Sequence, residues 1–197
     1  MPKIVDHDQR RREVLDATWR VIVRSGLDAT TMRRIAQEAG YSNGVLAHYF
    51  KDKEDILVSA HELAFSRARE RIAQATADHT GIEALRRAMH EALPLDEERH
   101  LEAQVDVSFL GQTVGNEGLR RIRSGSNANS RRLWTAFVER AQAIGEIRRD
   151  EDPQILVDEI LTLVESLSVE AIINPERMTP KHQRRLVERF LGRIAAS

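Results

Sequence analysis

The stretch from Thr30 to Lys53, TTMRRIAQEAGYSNGVLAHYFKDK, restricts the fold more than any other, because two short helical patterns flank one glycine. The apolar residues of the first pattern recur at i, i+3, i+4 and i+7, so they share one face of a helix: Met32, Ile35, Ala36 and Ala39. Thr31 can cap this helix, and Gly40 can end it in the left-handed conformation. Ser42 can cap the next helix. The sequence therefore predicts two helices joined by a tight bend.

The second predicted helix, about Asn43 to Tyr49, has two different surfaces. Leu46 and Phe50 are large and apolar enough to pack inward. The other surface carries small or hydrogen-bonding residues: Asn43, Gly44, Ala47 and His48. Such a surface suits the major groove of DNA, which is about 12 Å wide and displays a distinct pattern of base edges. The pattern favours a DNA-binding helix-turn-helix, and a plain helical bundle without a DNA role is the alternative.

Four motifs between Arg12 and about Leu57 resemble the TetR family of bacterial regulators. They are V-L-D-A-T with Val21, Ile22 and Gly26, then T-x-R-x-I-A-x-E-A-G, S-x-G-x-L-x-H-Y-F and K-D-K-E-D-I-L. The resemblance implies an all-α fold with a DNA-binding domain of three helices over residues 1–52. A larger helical domain for ligand binding and dimerisation would occupy residues 53–197. A homodimeric repressor that binds a palindromic operator and is released by a small molecule is the function it implies.

The resemblance also assigns DNA contacts: Thr31, Arg33, Ser42, Asn43, Gly44, Val45, His48, Tyr49 and Lys53. Their chemistry agrees, since Asn43 can pair with adenine and the missing side chain of Gly44 permits close approach. Tyr49 and Lys53 suit phosphates, which position a protein without reading sequence. For His48 a phosphate contact and a structural role stay equally open. Ala47 departs from the family, in which tyrosine is frequent at this position, so one expected contact is in doubt.

The charge distribution agrees with a DNA-binding amino-terminal end. Residues 1–53 hold ten Lys/Arg against seven Asp/Glu, whereas residues 54–197 hold 20 against 24. A basic end attracts phosphate, and an acidic remainder limits non-specific binding. Arg10, Arg11 and Arg12 crowd the first turn of the first predicted helix, where the helix dipole disfavours cations; they either meet a phosphate or form a solvated basic tail.

The remaining composition indicates a protein of the cytosol. No run of 18 apolar residues occurs, and residues 1–25 lack a signal-type segment, so neither membrane insertion nor export is expected. Zero cysteines exclude disulfides and thiolate chemistry. No cofactor and no metal site are predicted.

Beyond Lys53 the pattern is helical to the end of the chain. A long helix capped by Asp52 runs toward Ala77 and can connect the two domains as one rigid piece. Further helices are predicted over about 82–93, 96–114, 117–144, 153–173 and 180–196. The polar segment Ser124 to Ser130 is either a length of helix or a break, and helix is the prediction adopted.

The stretch Ile155 to Ile173 is apolar around more than half its circumference, so it needs burial on two sides. A second copy of the chain is the simplest partner, and the last helix has a similar stripe. A two-fold interface of four helices is therefore predicted. Its residues are Leu156, Ile160, Leu163, Val164, Leu167, Leu186 and Phe190. The alternative is that both helices are purely internal.

The resemblance implies an effector cavity in the larger domain. The candidates are large side chains, or polar ones among apolar neighbours: Met89, Gln104, Asp106, Phe109, Trp134, Phe137 and Glu165. For the aromatic residues core packing is the competing role. The segment ending in Ala47-His48-Tyr49-Phe50 is also similar to the choline-responsive branch of the family. With 5% aromatic residues the sequence offers no convincing cage for a quaternary ammonium, so choline is not predicted.

Two other classes of protein compete with this interpretation. An enzyme is not expected, because the histidines do not form H-E-x-x-H and neither G-x-G-x-x-G nor G-x-x-x-x-G-K-[ST] occurs. A helical protein–protein adaptor that binds a different chain, without operator DNA, is the remaining alternative. Homodimerisation together with uptake of duplex DNA separates the regulator from the adaptor.

Overall fold

The computed structural model describes residues 7–26 and 29–196, and within them the chain is built from helices. They are α1 (His7–Ser25), α2 (Met32–Ala39), α3 (Asn43–Tyr49), α4 (Lys53–Thr76), α5 (Gly81–Glu91), α6 (Glu97–Thr113), α7 (Glu117–Ala143), α8 (Pro153–Ile173) and α9 (Pro180–Ile194). This order confirms the predicted all-α architecture. An isolated β-bridge between Ile147 and Ala195 fastens the end of α9 to the turn after α7.

Helices α2 and α3 form the predicted helix-turn-helix, and local capping sets its geometry. The Thr31 side chain accepts a hydrogen bond from the N–H of Arg34 at 3.3 Å, which caps α2. Gly40 ends α2 with φ at 72°, a left-handed conformation that a Cβ would strain. The Ser42 hydroxyl accepts from the N–H of Val45 at 3.3 Å and starts α3.

The polar segment Ser124 to Ser130 is helical, as predicted, because α7 continues through it from Glu117 to Ala143. Its residues are exposed or half-buried, so its small polar side chains do not have to fill a core. The segment is therefore free to line surfaces on the side of α7 that faces α4 and α8.

A first apolar core, the head core, joins the helix-turn-helix to the larger domain. Its buried members are Val14, Leu15, Trp19, Ile22, Ile35, Ala36, Leu46, Phe50, Ile56, Leu57, Ala60, Ala64, Val105, Phe109 and Leu119. Val105 and Phe109 belong to α6 and Leu119 to α7, so the packing continues from the amino-terminal helices into the larger domain. Trp19 lies at this joint, with the guanidinium carbon of Arg67 4.5 Å from its ring centroid.

A second apolar core, the body core, fills the far side of the molecule. It combines the end of α4 with α5, α7, α8 and α9, and its fully buried members include Leu85, Met89, Leu156, Ile160 and Leu191. Helix α4 contributes to both cores, with Ile56 in the head core and Ile72 in the body core. As predicted, one continuous helix connects the helix-turn-helix to the rest of the chain.

Candidate functional site

The nine residues expected to face DNA lie at the start of α2, along α3 and at the first residue of α4. Six are exposed: Thr31, Arg33, Ser42, Asn43, Gly44 and His48. Val45, Tyr49 and Lys53 are half-buried. Tyr49 packs against the head core, whereas the six exposed residues are accessible from the outside.

The sequence of α3 places its bulk inward and its small residues outward. Leu46 is fully buried in the head core, and Phe50, which ends the helix, is 1% exposed. A Cβ built on Gly44 would meet only the Ser42 hydroxyl oxygen, at 3.7 Å. The outer surface of α3 is thus an open face on which backbone can come close to a partner.

Arg11 has a structural role that the sequence did not reveal. Its guanidinium donates to the Ser59 hydroxyl at 2.6 Å and to the Tyr49 carbonyl at 3.3 Å, and it lies 4.6 Å from the ring centroid of Phe50. It therefore ties α1 to the end of α3 and to α4. The two roles considered from sequence, a phosphate contact or a solvated tail, do not describe this residue. The basic run of Arg10, Arg11 and Arg12 indicated that these side chains need partners. The sequence could not name the partners of Arg11, because they lie at least 38 positions away.

The larger domain contains a partly open cavity of about 160 Å³ between α4, α5, α6, α7 and α8. Most of its wall is apolar, with Phe65, Ile72, Leu93, Leu133, Trp134 and Leu161 among the lining residues. A largely apolar chamber with a few polar groups is the usual form of a site for a small molecule.

The structure brings together three of the seven predicted cavity residues and places four elsewhere. Asp106, Trp134 and Glu165 line the cavity. Met89 is fully buried in the body core, and Phe137 packs against that core. Phe109 belongs to the head core, where its ring stacks on His61 with centroids 4.1 Å apart.

Gln104 is the fourth residue that lies outside the cavity lining. It precedes Asp106 by two positions, which on an α-helix is roughly 200° around the axis, so the two side chains point to different sides. Polarity among apolar neighbours did not distinguish Asp106, which lines the cavity, from Gln104, which does not, because the sequence did not show which face of α6 meets the cavity.

The cavity also contains charged pairs that sequence reasoning missed. Arg71 donates to both carboxylate oxygens of Glu102, at 2.9 and 2.5 Å, and Arg99 donates to Glu91 at 3.0 Å. These pairs join α4 to α6, and α6 to α5. No local pattern predicts them, since the Arg71 and Glu102 positions are 31 residues apart.

A second polar group in the cavity is centred on Asp106. Its carboxylate accepts a short hydrogen bond from Arg123 of α7, and its Oδ1 lies 3.1 Å from Nδ1 of His61 on α4. Burial by itself favours the protonated form, but the contacts with His61 and Arg123 outweigh it and hold the pKa of Asp106 below its ordinary value. Asp106 is therefore ionised, and it both lines the cavity and contacts His61 of α4.

His61 extends this polar group away from the cavity. The residue is fully buried, and its Nε2 lies 3.1 Å from the hydroxyl of Ser126 in α7. Its ring also packs on Phe65, a cavity residue, with centroids 4.6 Å apart. One turn of α4 is thus fixed to both α6 and α7 by hydrogen-bonding groups.

Four of the residues expected at a dimer interface are buried within their own chain. Leu156, Ile160, Leu167 and Phe190 belong to the body core of the same chain and are at most 9% exposed. The helix is apolar on so much of its circumference that the sequence could not distinguish its inner face from its outer face.

The remaining three interface candidates, Leu163, Val164 and Leu186, are half-buried, and Val164 also lines the cavity. The outer face of α8 carries different residues. These are Ile155, Thr162, Ser166 and Ile173, of which Ile155 is 55% and Ile173 63% exposed. An exposed apolar side chain at each end of this face leaves it open to another surface.

This arrangement, an exposed helix-turn-helix on a larger helical body with a cavity, defines a DNA-binding transcriptional regulator. Two family models match the chain: residues 14–60 match "Bacterial regulatory proteins, tetR family", and residues 81–196 match "BetI-type transcriptional repressor, C-terminal". The chain belongs to the TetR family, with a carboxyl-terminal domain of the BetI type.

Similar sequences carry the same description. The chain is 28% identical over 195 residues to the HTH-type transcriptional regulator PksA of Bacillus subtilis, covering 98% of this chain and 94% of that protein. It is 31% identical over 160 residues to the HTH-type transcriptional regulator BetI of Burkholderia thailandensis, covering 77% of each. These relatives are regulators, so the chain is a regulator and not an enzyme.

Solved structures share the whole fold. A transcriptional regulator from Rhodococcus sp. Rha1 is 25% identical with a TM-score of 0.82, covering 93% of this chain and 95% of that one. A putative transcriptional regulator from Saccharomonospora viridis, in complex with choline, is 22% identical with a TM-score of 0.88, covering 96% and 100%. Among the described residues here, no helix is long and apolar enough to cross a membrane.

Proposed function

We propose that the chain is a homodimeric repressor that binds a palindromic operator and releases it when a small molecule enters the cavity. The observation that carries the DNA-binding part is the outer face of α3, where Asn43, Gly44 and His48 are exposed over a fully buried Leu46. A short helix held this firmly from behind can enter the major groove without rearranging.

Within this proposal the DNA contacts have two kinds of role. Asn43 and Val45 read base edges, through an adenine pairing and a thymine methyl respectively. Arg33, Tyr49 and Lys53 contact phosphates and fix the register of the protein on the duplex. The Thr31 and Ser42 hydroxyl oxygens accept backbone hydrogen bonds, which leaves each hydroxyl proton for a phosphate oxygen.

Charge complementarity supports a dimer built from α8 and α9. Helix α8 carries four acidic residues and no Lys or Arg, whereas α9 carries five Lys/Arg and one Glu. In a two-fold dimer, α8 of one copy can lie against α9 of the other, so the opposite charges attract and like charges stay apart.

The cavity and the head core share α6, and this supports coupling between effector and DNA. Asp106 lines the cavity, whereas Val105 and Phe109 of the same helix belong to the head core. A molecule that prefers a shifted α6 would change the spacing of the two reading helices in the dimer. Changing the ratio of the DNA-binding conformation to the shifted conformation from 99:1 to 1:99 requires the ligand to favour the shifted one by about 5.5 kcal/mol.

We do not extend the choline of the Saccharomonospora viridis protein to this chain. Two aromatic side chains, Phe65 and Trp134, line the cavity, and a cage for a quaternary ammonium uses several aromatic faces. Each lining carboxylate also lies within 4 Å of an arginine, so none is left as a dedicated counter-ion for a cation.

The proposal is tested by selecting bound fragments from random duplexes and comparing two arrangements of the selected half-site. Fluorescence anisotropy should give tighter binding to an inverted repeat than to a direct repeat of equal spacing. Sedimentation should give the mass of two copies of the chain. A single copy at working concentrations, or equal affinity for both arrangements, would overturn the proposal and favour a helical adaptor.

A further inference from the structure

The first turns of α4 and α7 lie side by side and are joined by one amide side chain. The Oδ1 of Asn116 accepts a hydrogen bond from the N–H of Leu119 at 3.1 Å, which caps α7. The Nδ2 of the same amide donates to Oε2 of Glu54, in the first turn of α4, at 3.2 Å. This second hydrogen bond is called the Asn116–Glu54 bridge. It connects the larger domain to the helix that begins directly after the helix-turn-helix.

Gly118 leaves room for the Asn116–Glu54 bridge. A Cβ built on Gly118 would lie 3.3 Å from Oδ1 of Asn116, which is tighter than an ordinary contact, and 3.8 Å from Oε1 of Glu54. The φ of Gly118 is not positive, so the backbone itself does not require glycine there. Glycine inside a helix is less favourable than alanine. The close approach of Asn116 and Glu54 accounts for a glycine at this position.

Other contacts hold both ends of the bridge in place. Leu119 is 3% exposed in the head core, which fixes the start of α7. On α4, the Asp52 carboxylate accepts from the N–H of Asp55 at 2.9 Å, and the Asp55 carboxylate accepts from the N–H of Lys51 at 2.9 Å. These reciprocal hydrogen bonds are similar to a capping box and stiffen the first turn of α4. A shift at the start of α7 therefore moves that turn as a unit.

Lys53 belongs to the turn that the bridge holds. It precedes Glu54 in the chain and lies about 100° from it around the helix axis, so the two side chains point to different sides of α4. A hydrogen bond between an ammonium group and a phosphate oxygen spans about 2.7–2.9 Å. A displacement of about 1 Å takes such a pair out of hydrogen-bonding range. The orientation of this turn therefore determines whether Lys53 reaches a phosphate.

We propose that Asn116 is a positioning residue for DNA binding, which acts through its bridge to Glu54 and sets the orientation in which Lys53 meets a phosphate. The inference rests on the proposed function, in which Lys53 contacts the DNA backbone. It assigns a part in DNA affinity to a residue of the larger domain that does not itself touch DNA. Because phosphate contacts carry no sequence information, the effect is the same for all duplexes.

Asn116→Ser tests the inference on the full chain without a change of charge. Serine caps a helix as well as asparagine does, so α7 keeps its start, but the shorter side chain loses the bond to Glu54. Fluorescence anisotropy should show affinity about threefold to tenfold weaker for both the selected operator and a random duplex, with a lower salt slope. Tm should fall by at most about 4 °C, since one surface hydrogen bond is lost.

Asn129→Ser is the matched control for the replacement itself. Asn129 is exposed further along α7, so affinity and salt slope should both stay unchanged. Full affinity in Asn116→Ser, or equal losses in Asn116→Ser and Asn129→Ser, would overturn the inference.

The other end of the bridge gives a second pair of variants. Glu54→Ala removes the acceptor together with one negative charge, whereas Glu117→Ala, at the exposed first residue of α7, removes the same charge and leaves the bridge intact. Since the loss of a negative charge near DNA favours binding, Glu117→Ala should bind at least as tightly as the wild type. Glu54→Ala should bind more weakly than Glu117→Ala. If Asn116→Ser does not fold, this pair carries the test, and equal affinities would contradict the inference.

The combination of Asn116→Ser with Lys53→Ala decides whether Asn116 acts through Lys53. Once Lys53 is absent, the bridge has no phosphate contact left to position, so the double variant should bind like Lys53→Ala alone, within about twofold. A loss equal to the product of the two single losses would show that Asn116 acts independently of Lys53, and the inference would then be wrong.

Binding of the wild type to the inverted repeat, measured beside the variants, separates this inference from the proposed function. A wild type that ignores duplex DNA refutes both. A wild type that prefers the inverted repeat, together with an Asn116→Ser protein of equal affinity, refutes the positioning role alone.

Discussion

Replacing Gly44 by alanine separates the fit of α3 to DNA from the stability of α3. Gly44 lies in the first turn of a helix, and its φ is not positive, so alanine fits the backbone. The added Cβ would meet the Ser42 hydroxyl oxygen at 3.7 Å, an ordinary contact. Because alanine exceeds glycine in helix propensity by about 0.5–1 kcal/mol, Gly44→Ala should raise Tm by about 1–4 °C.

The same methyl group should weaken operator binding. If the backbone at Gly44 approaches the groove, an added Cβ forces α3 away from the base edges and lengthens the hydrogen bonds of its neighbour Asn43. We expect at least a tenfold loss of affinity, about 1.4 kcal/mol, for the selected operator. Stability and DNA affinity would then change in opposite directions, which a folding defect cannot produce. Scanning calorimetry and anisotropy on one preparation measure both quantities.

Gly125→Ala is the matched control for this experiment. Gly125 is exposed in α7, and a Cβ there meets nothing within 4 Å. It should therefore give a similar rise in Tm with unchanged operator affinity. Unchanged affinity in Gly44→Ala, or an equal loss in Gly125→Ala, would refute the placement of α3 in the groove.

Four further predictions concern the remaining parts of the proposal. Leu46→Ala should destabilise the chain by about 2–5 kcal/mol in urea unfolding, because its side chain is fully buried. Lys53→Ala should weaken binding to all duplexes and lower the salt slope by about 1, whereas Asn43→Ala should alter preference between sequences. Since the pKa of Asp106 is lowered on folding, its contribution to stability is present above the ordinary value near 3.8 and is lost as pH falls through the folded pKa. Asp106→Asn should flatten that acid limb of the unfolding profile. Thr162→Arg, on the outer face of α8, should yield a single copy in sedimentation.

Clear outcomes would contradict each of these predictions. They are a loss below about 1 kcal/mol for Leu46→Ala, an unchanged salt slope for Lys53→Ala, and an acid limb that persists in Asp106→Asn. For the dimer the contradiction is a Thr162→Arg protein that sediments as two copies. Gln74→Arg, at an exposed position of α4, is the control for charge and size and should leave the mass unchanged.

The elements that the sequence predicted well are those that local chemistry determines. Thr31, Gly40 and Ser42 each act within three or four residues of themselves, through a cap or a left-handed turn. The predicted bounds of α8 agree with the structure at both ends, because Pro153 and the Asn174-Pro175 pair mark them locally. The helix through the polar segment of α7 was also predicted, although Ser, Asn and Gly are weak helix formers.

The cavity was predicted poorly because its lining depends on which helix faces meet. Glu102 was not among the predicted cavity residues, and it lies at the cavity paired with Arg71 of another helix. Met89 and Phe109 are large enough to line a cavity but fill the body core and the head core instead. Size and polarity identify residues that need burial or a partner, but they do not show which partner the fold supplies.

The contacts of α6 and His61 limit how a ligand can act on this molecule. Close-packed cores resist small displacements, so a molecule that moves Asp106 must also move Val105, on the same turn of α6, in the head core. His61 of α4 gives a second connection, since its Nδ1 lies 3.1 Å from the Asp106 carboxylate. Near its amino-terminal end, α4 also contacts the start of α7, where Asn116 donates a hydrogen bond to Glu54 at 3.2 Å. The second connection ends in α4, the helix that carries Lys53. The proposed effector therefore would not need to reach the helix-turn-helix; it would need only to prefer one position of α6 over another.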